Sequence, residues 1–196
     1  SNILFKGITK QSHDYSCGAA ALSTLITGIV ENSFVSEEDV LNAITSTKRN
    51  KEDGYTGIEL VEAAKKLGYQ SAEWRGIEPP FLAKLKQPVI LLIGQNSQVP
   101  HYVVFKGIEN GVAFLADPLR GNIKISYDDL IKEGINDKKN KLLVMSIHPS
   151  ANKPKGSILY LSTDKYDTHS EPNESYLINL PTAAKKNQLR VSYTFL

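Results

Sequence analysis

Residues 11–22 read QSHDYSCGAAAL, and this segment carries the strongest indication of how the chain folds. Apolar residues recur at helical spacing through residues 19–29, and Ser16 stands where a helix N-cap is expected. Cys17 therefore falls in the first turn of a predicted helix. A helix N-terminus carries partial positive charge and free N–H groups, which stabilise a thiolate. The segment thus predicts a cysteine placed for reaction at sulfur.

Cys17 is the single cysteine among 196 residues. This count excludes an intramolecular disulfide and a cysteine-rich metal site. Two interpretations of the thiol remain open at this point: a small buried apolar residue, as free cysteines often are, or a nucleophile served by a histidine elsewhere. The four histidines are scattered without the spacing of metal ligands, and nothing in the sequence indicates an organic cofactor. We therefore expect no metal and no cofactor.

A base for Cys17 is predicted at His101, which heads an apolar, β-branched run directly after a loop. The dipeptide Asn110-Gly111 follows that run and is the strongest short hairpin signal. Asp117 ends the next apolar run, so two strands of similar length should bring His101 and Asp117 together at their outer ends. The aspartate would orient the imidazole, and a Cys–His ion pair would lower the pKa of the thiol.

Gln11 and Gly18 complete the predicted site around the sulfur. Gln11 lies six positions before Cys17 (17 − 11), on a loop that leads into the helix. We expect its amide to form an oxyanion hole with the Cys17 N–H, where one donor is typically worth roughly 3–4 kcal/mol of barrier. Gly18 has no side chain and would let a substrate backbone approach closely. Each feature is weak alone, and their order along the chain favours a catalytic site.

The rest of the chain changes from helical to strand-like patterns. An acidic residue stands three positions after a serine or threonine at residues 36–39 and 56–59, which predicts two further helices with capping boxes. Strand-like apolar runs follow at residues 89–93, 101–108, 112–116, 123–126 and 142–147, with a short helix at 128–132. Helices followed by an antiparallel meander predict the α+β class, with the N-terminal helices packed on an antiparallel β-sheet.

Length and charge limit the classes of protein to which the chain can belong. A chain of 196 residues allows one complete domain and an appendage. Its formal net charge of +2 argues against nucleic-acid partners and a polybasic membrane surface. No apolar run approaches the ~20 residues of a membrane span, so we expect no stable membrane insertion. Loop-forming residues cluster after Pro149. We therefore expect a folded domain at residues 1–149 and an extension at residues 150–196, as a hairpin, an arm or a partly ordered tail.

Three motifs, specific in combination, occur in this order: Gln11-x5-Cys17-Gly18-Ala19-Ala20-Ala21-Leu22, His101-Tyr102-Val103-Val104 and Ala116-Asp117-Pro118. They resemble the bacteriocin-processing, double-glycine leader peptidases, which are family thirty-nine of the cysteine peptidases and have a papain-like fold. The resemblance covers roughly residues 5–149. It implies that Cys17 is the nucleophile, that His101 is the general base and acid, and that Asp117 orients His101.

The same resemblance implies that Gln11 is the side-chain donor of the oxyanion hole, and we expect Gly18 and Tyr102 to contact the substrate. The implied function is a cysteine peptidase that hydrolyses a leader or exported substrate after small residues such as Gly-Gly. The implied setting is a bacterial secretion or fibre-export pathway. The expected partners are therefore a peptide or protein substrate and a component of a secretion system.

Two features separate this chain from the transporter-fused members that it resembles. Ser16 occupies the position before the cysteine where an acidic residue is common, and the segment after Pro149 has no counterpart in them. Both features favour the stand-alone exported type. We therefore expect a periplasmic or otherwise exported protein whose signal peptide has been removed, with a cytoplasmic, transporter-associated domain as the alternative.

Other functions remain open from the sequence. A non-catalytic papain-like module could bind an extended peptide or a secretion partner without cutting it. An acyltransferase or amidase, such as a transglutaminase, would use the same Cys–His–Asp order. A purely structural account would make Cys17 a core residue of an α+β domain, and it predicts no reaction of the native protein with iodoacetamide.

Overall fold

The computed structural model describes residues 5–30, 32–44, 53–85, 87–95, 100–135 and 141–148. The predicted extension at residues 150–196 lies outside the described residues. Within the described ranges, no helix combines the length and the apolar character that a bilayer span requires.

The N-terminal helices form where the sequence predicts them: α1 (Cys17–Ile29), α2 (Glu37–Ala43) and α3 (Gly57–Lys66). Both predicted capping boxes are present. The Ser36 hydroxyl accepts a hydrogen bond from the Asp39 backbone, and the Asp39 carboxylate accepts one from the Ser36 backbone. Thr56 and Glu59 make the same reciprocal pair at the start of α3. These caps satisfy N–H groups that a helix cannot satisfy internally, which is why the helices begin at these residues.

The described residues form one six-stranded sheet. Its strands are β1 (Gln70–Ile77), β2 (Val89–Ile93), β3 (His101–Glu109), β4 (Val112–Asp117), β5 (Gly121–Ser126) and β6 (Leu142–His148). A short α4 (Pro79–Leu82) precedes β2, and α5 (Tyr127–Gly134) precedes β6. The order across the sheet is β1-β6-β2-β3-β4-β5, with all neighbours antiparallel. The predicted meander is confirmed for β2 to β5 and wrong for β6, which returns to pair with both β1 and β2.

β1 is an edge strand that the sequence does not predict. Glu73, Trp74 and Arg75 interrupt the apolar alternation on which strand prediction depends, and every residue of β1 is half-buried or exposed. Its register is set by pairing with β6, in which Gln70 of β1 lies opposite His148 of β6. The Trp74 indole also donates to the Ser146 hydroxyl at 3.0 Å. Partner pairing therefore forms this strand, and its intrinsic pattern contributes little.

Two apolar cores lie on opposite faces of the sheet. On one face α1 and α3 pack against the sheet through buried residues that include Leu25, Ile26, Leu60, Ile90, Val104 and Met145. On the other face the core includes Leu91, Val103, Phe105, Leu115 and Leu130. Because α1 packs directly on β3, the first turn of α1 lies beside the start of β3. The α+β class, with helices packed on an antiparallel sheet, is confirmed.

The hairpin between β3 and β4 contains one extra residue in β3. Next to the turn Glu109 pairs with Val112, whereas farther out Val104 pairs with Ala116. The pairing therefore advances five residues along β3 (109 − 104) and four along β4 (116 − 112). The unpaired residue is Lys106, which makes this a β-bulge. The bulge shifts the register of the outer half of the hairpin by one residue.

This shift determines which face Asp117 occupies. Continuing the outer register places Asp117 opposite Val103, on the face of His101, because alternate residues of a strand share a face. In an unbulged hairpin Asp117 would lie opposite Val104, on the other face. Diagonal neighbours on one face are within reach of long side chains. The bulge thus makes contact between His101 and Asp117 possible.

Candidate active site

Cys17 is the first residue of α1, at the position where the sequence predicts a reactive thiol. The residue is 8% exposed and lies next to the start of β3. The N–H groups of the first helical turn have no acceptor within the helix, so they and the helix dipole favour negative charge at this point. The sulfur is therefore in an environment that stabilises the thiolate.

Cys17, His101 and Asp117 form one hydrogen-bonded chain. His101 Nε2 lies 2.8 Å from Asp117 Oδ1, and the His101 ring is also hydrogen-bonded to the Cys17 thiol. Since an imidazole has two ring nitrogens, the bond from Nε2 to the carboxylate leaves Nδ1 for the sulfur. The structure thus brings together the three residues that the sequence places far apart.

The pKa of the Cys17 thiol lies below its ordinary value. Burial raises this pKa, but the hydrogen bond and charge of His101 and the backbone N–H groups of Tyr102 and Gly18 act in the opposite direction and prevail. All of these partners stabilise the thiolate form. The arrangement therefore favours an anionic sulfur at a lower pH than a free thiol would require.

Asp117 and His101 shift each other's pKa in opposite directions. Burial lowers the pKa of His101, but its bonds to Asp117 and Cys17 outweigh burial and raise that pKa to about 9. Burial raises the pKa of Asp117, yet the bonds and charges of His101 and Arg120 bring it to about 2. Near neutral pH the site therefore holds an imidazolium and a carboxylate, and the imidazolium favours the thiolate form of Cys17.

Arg120 is a site residue that the sequence analysis does not identify. Its Nε donates to Asp117 Oδ2 at 2.7 Å, on the carboxylate oxygen that does not contact His101. The backbone N–H groups of Leu119 and Arg120 donate to Asp117 Oδ1. Asp117 is fully buried, so these bonds and the guanidinium charge compensate its desolvation. The available signal was local, because Arg120 follows Asp117 by only three residues.

Gln11 lies on the loop before α1, as predicted, but no described contact joins it to Cys17. Its backbone N–H donates to the Pro118 carbonyl at 2.9 Å, which ties this loop to the turn after Asp117. Its side-chain Nε2 donates to the His13 carbonyl at 2.9 Å. An amide nitrogen has two hydrogens, so one remains for another acceptor. The role of Gln11 as an oxyanion donor stays a prediction.

Gly18 and Tyr102, the predicted substrate contacts, pack against each other. A Cβ built on Gly18 would lie 2.7 Å from Leu60 Cδ1 and 3.0 Å from Tyr102 Cδ2. Gly18 therefore allows α1 to approach α3 and β3 closely, and Tyr102 is buried with it. This packing supplies a structural reason for both residues, and their contact with a substrate remains a prediction.

The contacts of Ser16 explain why this chain has a serine, rather than an acidic residue, before the cysteine. It occupies the N-cap position of α1, as predicted, but its side chain makes no capping hydrogen bond. The fully buried hydroxyl instead accepts from the His13 N–H and donates to the His13 carbonyl. The His13 ring stacks on Tyr15 with a centroid separation of 5.0 Å. A neutral residue thus anchors the approach loop in a place where burying a charge would be costly.

The described part of the chain contains no cluster of three or more histidine, cysteine or acidic residues suited to a metal ion. Two of the other histidines, His13 and His148, lie on the approach loop and at the end of β6. His169 lies outside the described residues.

Comparison with known sequences connects this site to a family. The model of the Peptidase C39 family matches residues 6–133. The probable functional amyloid protease FapD of Pseudomonas fluorescens is 28% identical over 131 residues, which are 65% of this chain and 56% of that protein. The pediocin PA-1 transport/processing ATP-binding protein PedD of Pediococcus acidilactici is 28% identical over 131 residues, covering 65% of this chain and 17% of that protein. The chain thus spans little more than half the length of its FapD relative.

Solved structures share the fold of this chain. The peptidase domain of Streptococcus ComA, a bifunctional ABC transporter of a quorum-sensing pathway, superposes with a TM-score of 0.58 at 21% identity. This match covers 72% of the present chain and 97% of that domain. A double-glycine-motif protease from an AMS/PCAT transporter, solved with a leader peptide, gives a TM-score of 0.56 at 22% identity. It covers 73% of this chain and 91% of that one.

Proposed function

Because this chain belongs to the Peptidase C39 family, we propose that it is a cysteine peptidase that cuts an exported peptide or protein after small residues. The observation that carries the proposal is the hydrogen-bonded chain from Cys17 through His101 to Asp117 at the start of α1. A thiol with a lowered pKa beside an imidazolium is the arrangement that nucleophilic catalysis at sulfur requires.

In the first half of the reaction, the Cys17 thiolate attacks the carbonyl carbon of the scissile bond. The carbonyl oxygen becomes an oxyanion, which the Cys17 N–H at the start of α1 and the remaining N–H of Gln11 would stabilise. His101 gives its Nδ1 proton to the leaving nitrogen as the C–N bond breaks. The products of this half are a thioester on Cys17, a free amine and a neutral imidazole.

In the second half, the neutral His101 takes a proton from water while the water oxygen attacks the thioester carbon. The C–S bond breaks, the carboxylic product leaves, and the thiolate–imidazolium pair is restored. Asp117 keeps the ring oriented through both halves and stays ionised, since its pKa is about 2.

For the substrate, we propose a leader or fibre-forming protein with a Gly-Gly or similar small pair before the cut. The names of two relatives support this, since one is a probable functional amyloid protease and one a transport/processing protein. The proposed setting is a secretion or fibre-export pathway in the periplasm or another exported location, with a secretion component as partner. Cell fractionation of the natural full-length protein would test the location.

The experiment that tests the activity is a peptide cleavage assay read by mass spectrometry. We expect cuts after Gly-Gly or Gly-Ala in a library of peptides, with incorporation of one ¹⁸O atom into the new carboxyl group in H₂¹⁸O. An added amine acceptor separates hydrolysis from acyl transfer, because a transferase would yield the amide product. Absence of cleavage, with an unreactive Cys17, would favour a binding module instead.

The cleavage rate is expected to depend on pH with two limbs. Activity should rise as Cys17 becomes a thiolate, at a pH below the 9.0 of an ordinary thiol. It should fall as pH rises through about 9, because His101 then loses the proton that it gives to the leaving nitrogen. Measuring kcat/KM from acid to alkaline pH checks this. A rate that keeps increasing well above pH 9 would contradict the assignment of His101 as the proton donor.

Substituting Arg120→Met is expected to lower kcat about tenfold with little change in KM, since a charge-assisted hydrogen bond to a buried carboxylate is lost. Arg120 acts through Asp117, so it is a positioning residue. Arg120→Lys should restore part of the rate, because an ammonium can still donate to Asp117 Oδ2. The control is Arg75→Met, because Arg75 is an exposed arginine on the edge strand β1 whose Nε donates to Glu73 Oε1 at 2.5 Å. Equal losses in both methionine variants would count against the assignment.

A further inference from the structure

A groove of about 500 Å³ opens beside His101 on the side of α5. Its lining residues are Ile93, Gly94, His101, Leu119, Arg120, Lys132 and Glu133. Its volume is within the about 300–1,000 Å³ range of ligand sites. Cys17 is not among these residues, so the groove begins at His101 and extends from it towards α5.

We propose that this groove binds the substrate residues that follow the scissile bond, and that it selects an apolar residue first and a basic residue beyond it. The proposal rests on the proposed function. In that reaction His101 gives its proton to the nitrogen of the residue after the cut, so this nitrogen must lie against the imidazole. A groove that begins at His101 is therefore where the following residues lie.

The end of the groove nearest His101 is apolar. Leu119 follows Asp117 by two residues, lines the groove and keeps 56% of its surface exposed. Ile93 pairs directly with His101 across β2 and β3. An apolar side chain placed directly after the scissile bond would cover Leu119 and remove its surface from water.

The far wall of the groove is formed by Lys132 and Glu133 of α5. The Gly94 N–H donates to the Glu133 carbonyl at 2.7 Å, which joins the end of β2 to α5. The Lys132 ammonium is paired with Asp128 and Asp129, which precede it on α5 and do not line the groove, so residues 128–133 together have a net charge of −2 (one base and three acids).

Two basic side chains, Arg120 and Lys132, line the groove, and both are paired with carboxylates. Arg120 is already paired with Asp117, and Lys132 with two aspartates. Glu133 is exposed, and within the described ranges its carboxylate takes part in no ion pair. A basic side chain two or more positions after the cut would therefore find an unpaired carboxylate.

The test uses peptides that share one sequence before the cut and differ after it, with Leu-Lys, Leu-Glu or Ser-Lys as the following pair. The wild-type chain should cleave the Leu-Lys peptide with the highest kcat/KM. Leu119→Gln should reduce kcat/KM for Leu-Lys about tenfold and largely erase the preference for leucine over serine. Glu133→Lys should reverse the preference between Leu-Lys and Leu-Glu, with a change of about fivefold in their ratio.

A peptidyl methyl ester with the same residues before the bond provides the internal reference, because it has no residue to place in the groove. The loss caused by Leu119→Gln should be far smaller on the ester than on the peptide. Two exposed residues away from the groove supply matched controls: Phe34→Gln for the leucine change and Glu62→Lys for the charge change. Both controls should keep the wild-type preferences.

The outcomes separate the two proposals. If the wild-type chain cleaves neither peptide nor ester, the proposed function fails and the groove proposal fails with it. If the wild-type chain cleaves both, but Leu119→Gln and Glu133→Lys leave the preferences intact, the groove proposal is overturned while the peptidase function stands. Equal losses on ester and peptide would also overturn it, because they would place Leu119 in the support of His101 and Asp117.

Discussion

Replacing Cys17 by alanine is expected to abolish peptide cleavage, with a loss of roughly 10⁴–10⁶-fold, and to leave the fold intact. The chain has no other cysteine, so no second thiol could take over the reaction. The structural change is small, since one sulfur atom is removed from a mostly buried position and alanine is the best helix former. We expect a stability loss on the order of 1 kcal/mol.

Three measurements check this prediction on the same protein samples. Cleavage is followed by mass spectrometry, alkylation by iodoacetamide, and folding by circular dichroism with thermal unfolding. The variant should show neither cleavage nor alkylation and should keep the wild-type spectrum. Cys17→Ser is a useful companion, because it retains a hydrogen-bonding group of similar shape without a thiolate. Undiminished cleavage by Cys17→Ala would rule out Cys17 as the nucleophile.

Replacing His101 by glutamine is expected to reduce kcat/KM roughly 10³–10⁴-fold, because glutamine neither accepts the thiol proton nor donates one to the leaving nitrogen. The variant should also change the thiol itself. Burial raises the pKa of Cys17, and His101 is the principal group that opposes this effect. Without His101 the thiol pKa should therefore rise.

The rate of iodoacetamide alkylation as a function of pH measures that change directly, and it requires no substrate. In the wild-type chain alkylation should persist to lower pH than for a free thiol, and in His101→Gln the curve should move to higher pH. His148→Gln is the matched control, since His148 is exposed at the end of β6 and far along the chain from the site. Identical alkylation curves for wild type and His101→Gln would contradict the ion pair.

Local sequence patterns predicted most of the elements correctly, for reasons that are local. The capping boxes at Ser36 and Thr56 begin their helices through contacts within four residues. The turn at Asn110 and Gly111 has φ values of 50° and 75°, as a two-residue hairpin turn requires, and these residue types tolerate that backbone. Such features need no information from distant parts of the chain.

The features that the sequence analysis did not predict depend on distant parts of the chain. β1 exists because β6 pairs with it, and β6 leaves the meander because the open edges of β1 and β2 accept it. Neither pairing is visible in a pattern of apolar and polar residues. Arg120 reached the site because a turn after Asp117 returns its guanidinium to the second carboxylate oxygen. These are properties of partners brought together by folding.

In the hairpin that carries His101 and Asp117, the sequence predicted that the strand ends meet but not which face each side chain occupies. The sequence indicated that the two strand ends meet, but the face on which each side chain lies depends on a count of residues between them. One unpaired residue, Lys106, shifts that count and puts both side chains on one face. Its ammonium is buried with a pKa lowered by burial to about 8 and donates to Asn122 Oδ1 at 2.9 Å.

The sequence by itself determined the α+β class, the helix that begins at Cys17 and the choice of His101 and Asp117 as its partners. Those conclusions depend on caps, turns and apolar spacing, which act over a few residues. Only the tertiary structure decided the bulged register, the support of Asp117 by Arg120 and the groove between His101 and α5. These depend on side-chain direction and strand pairing, where a shift of one residue or the choice of a partner strand changes which groups meet.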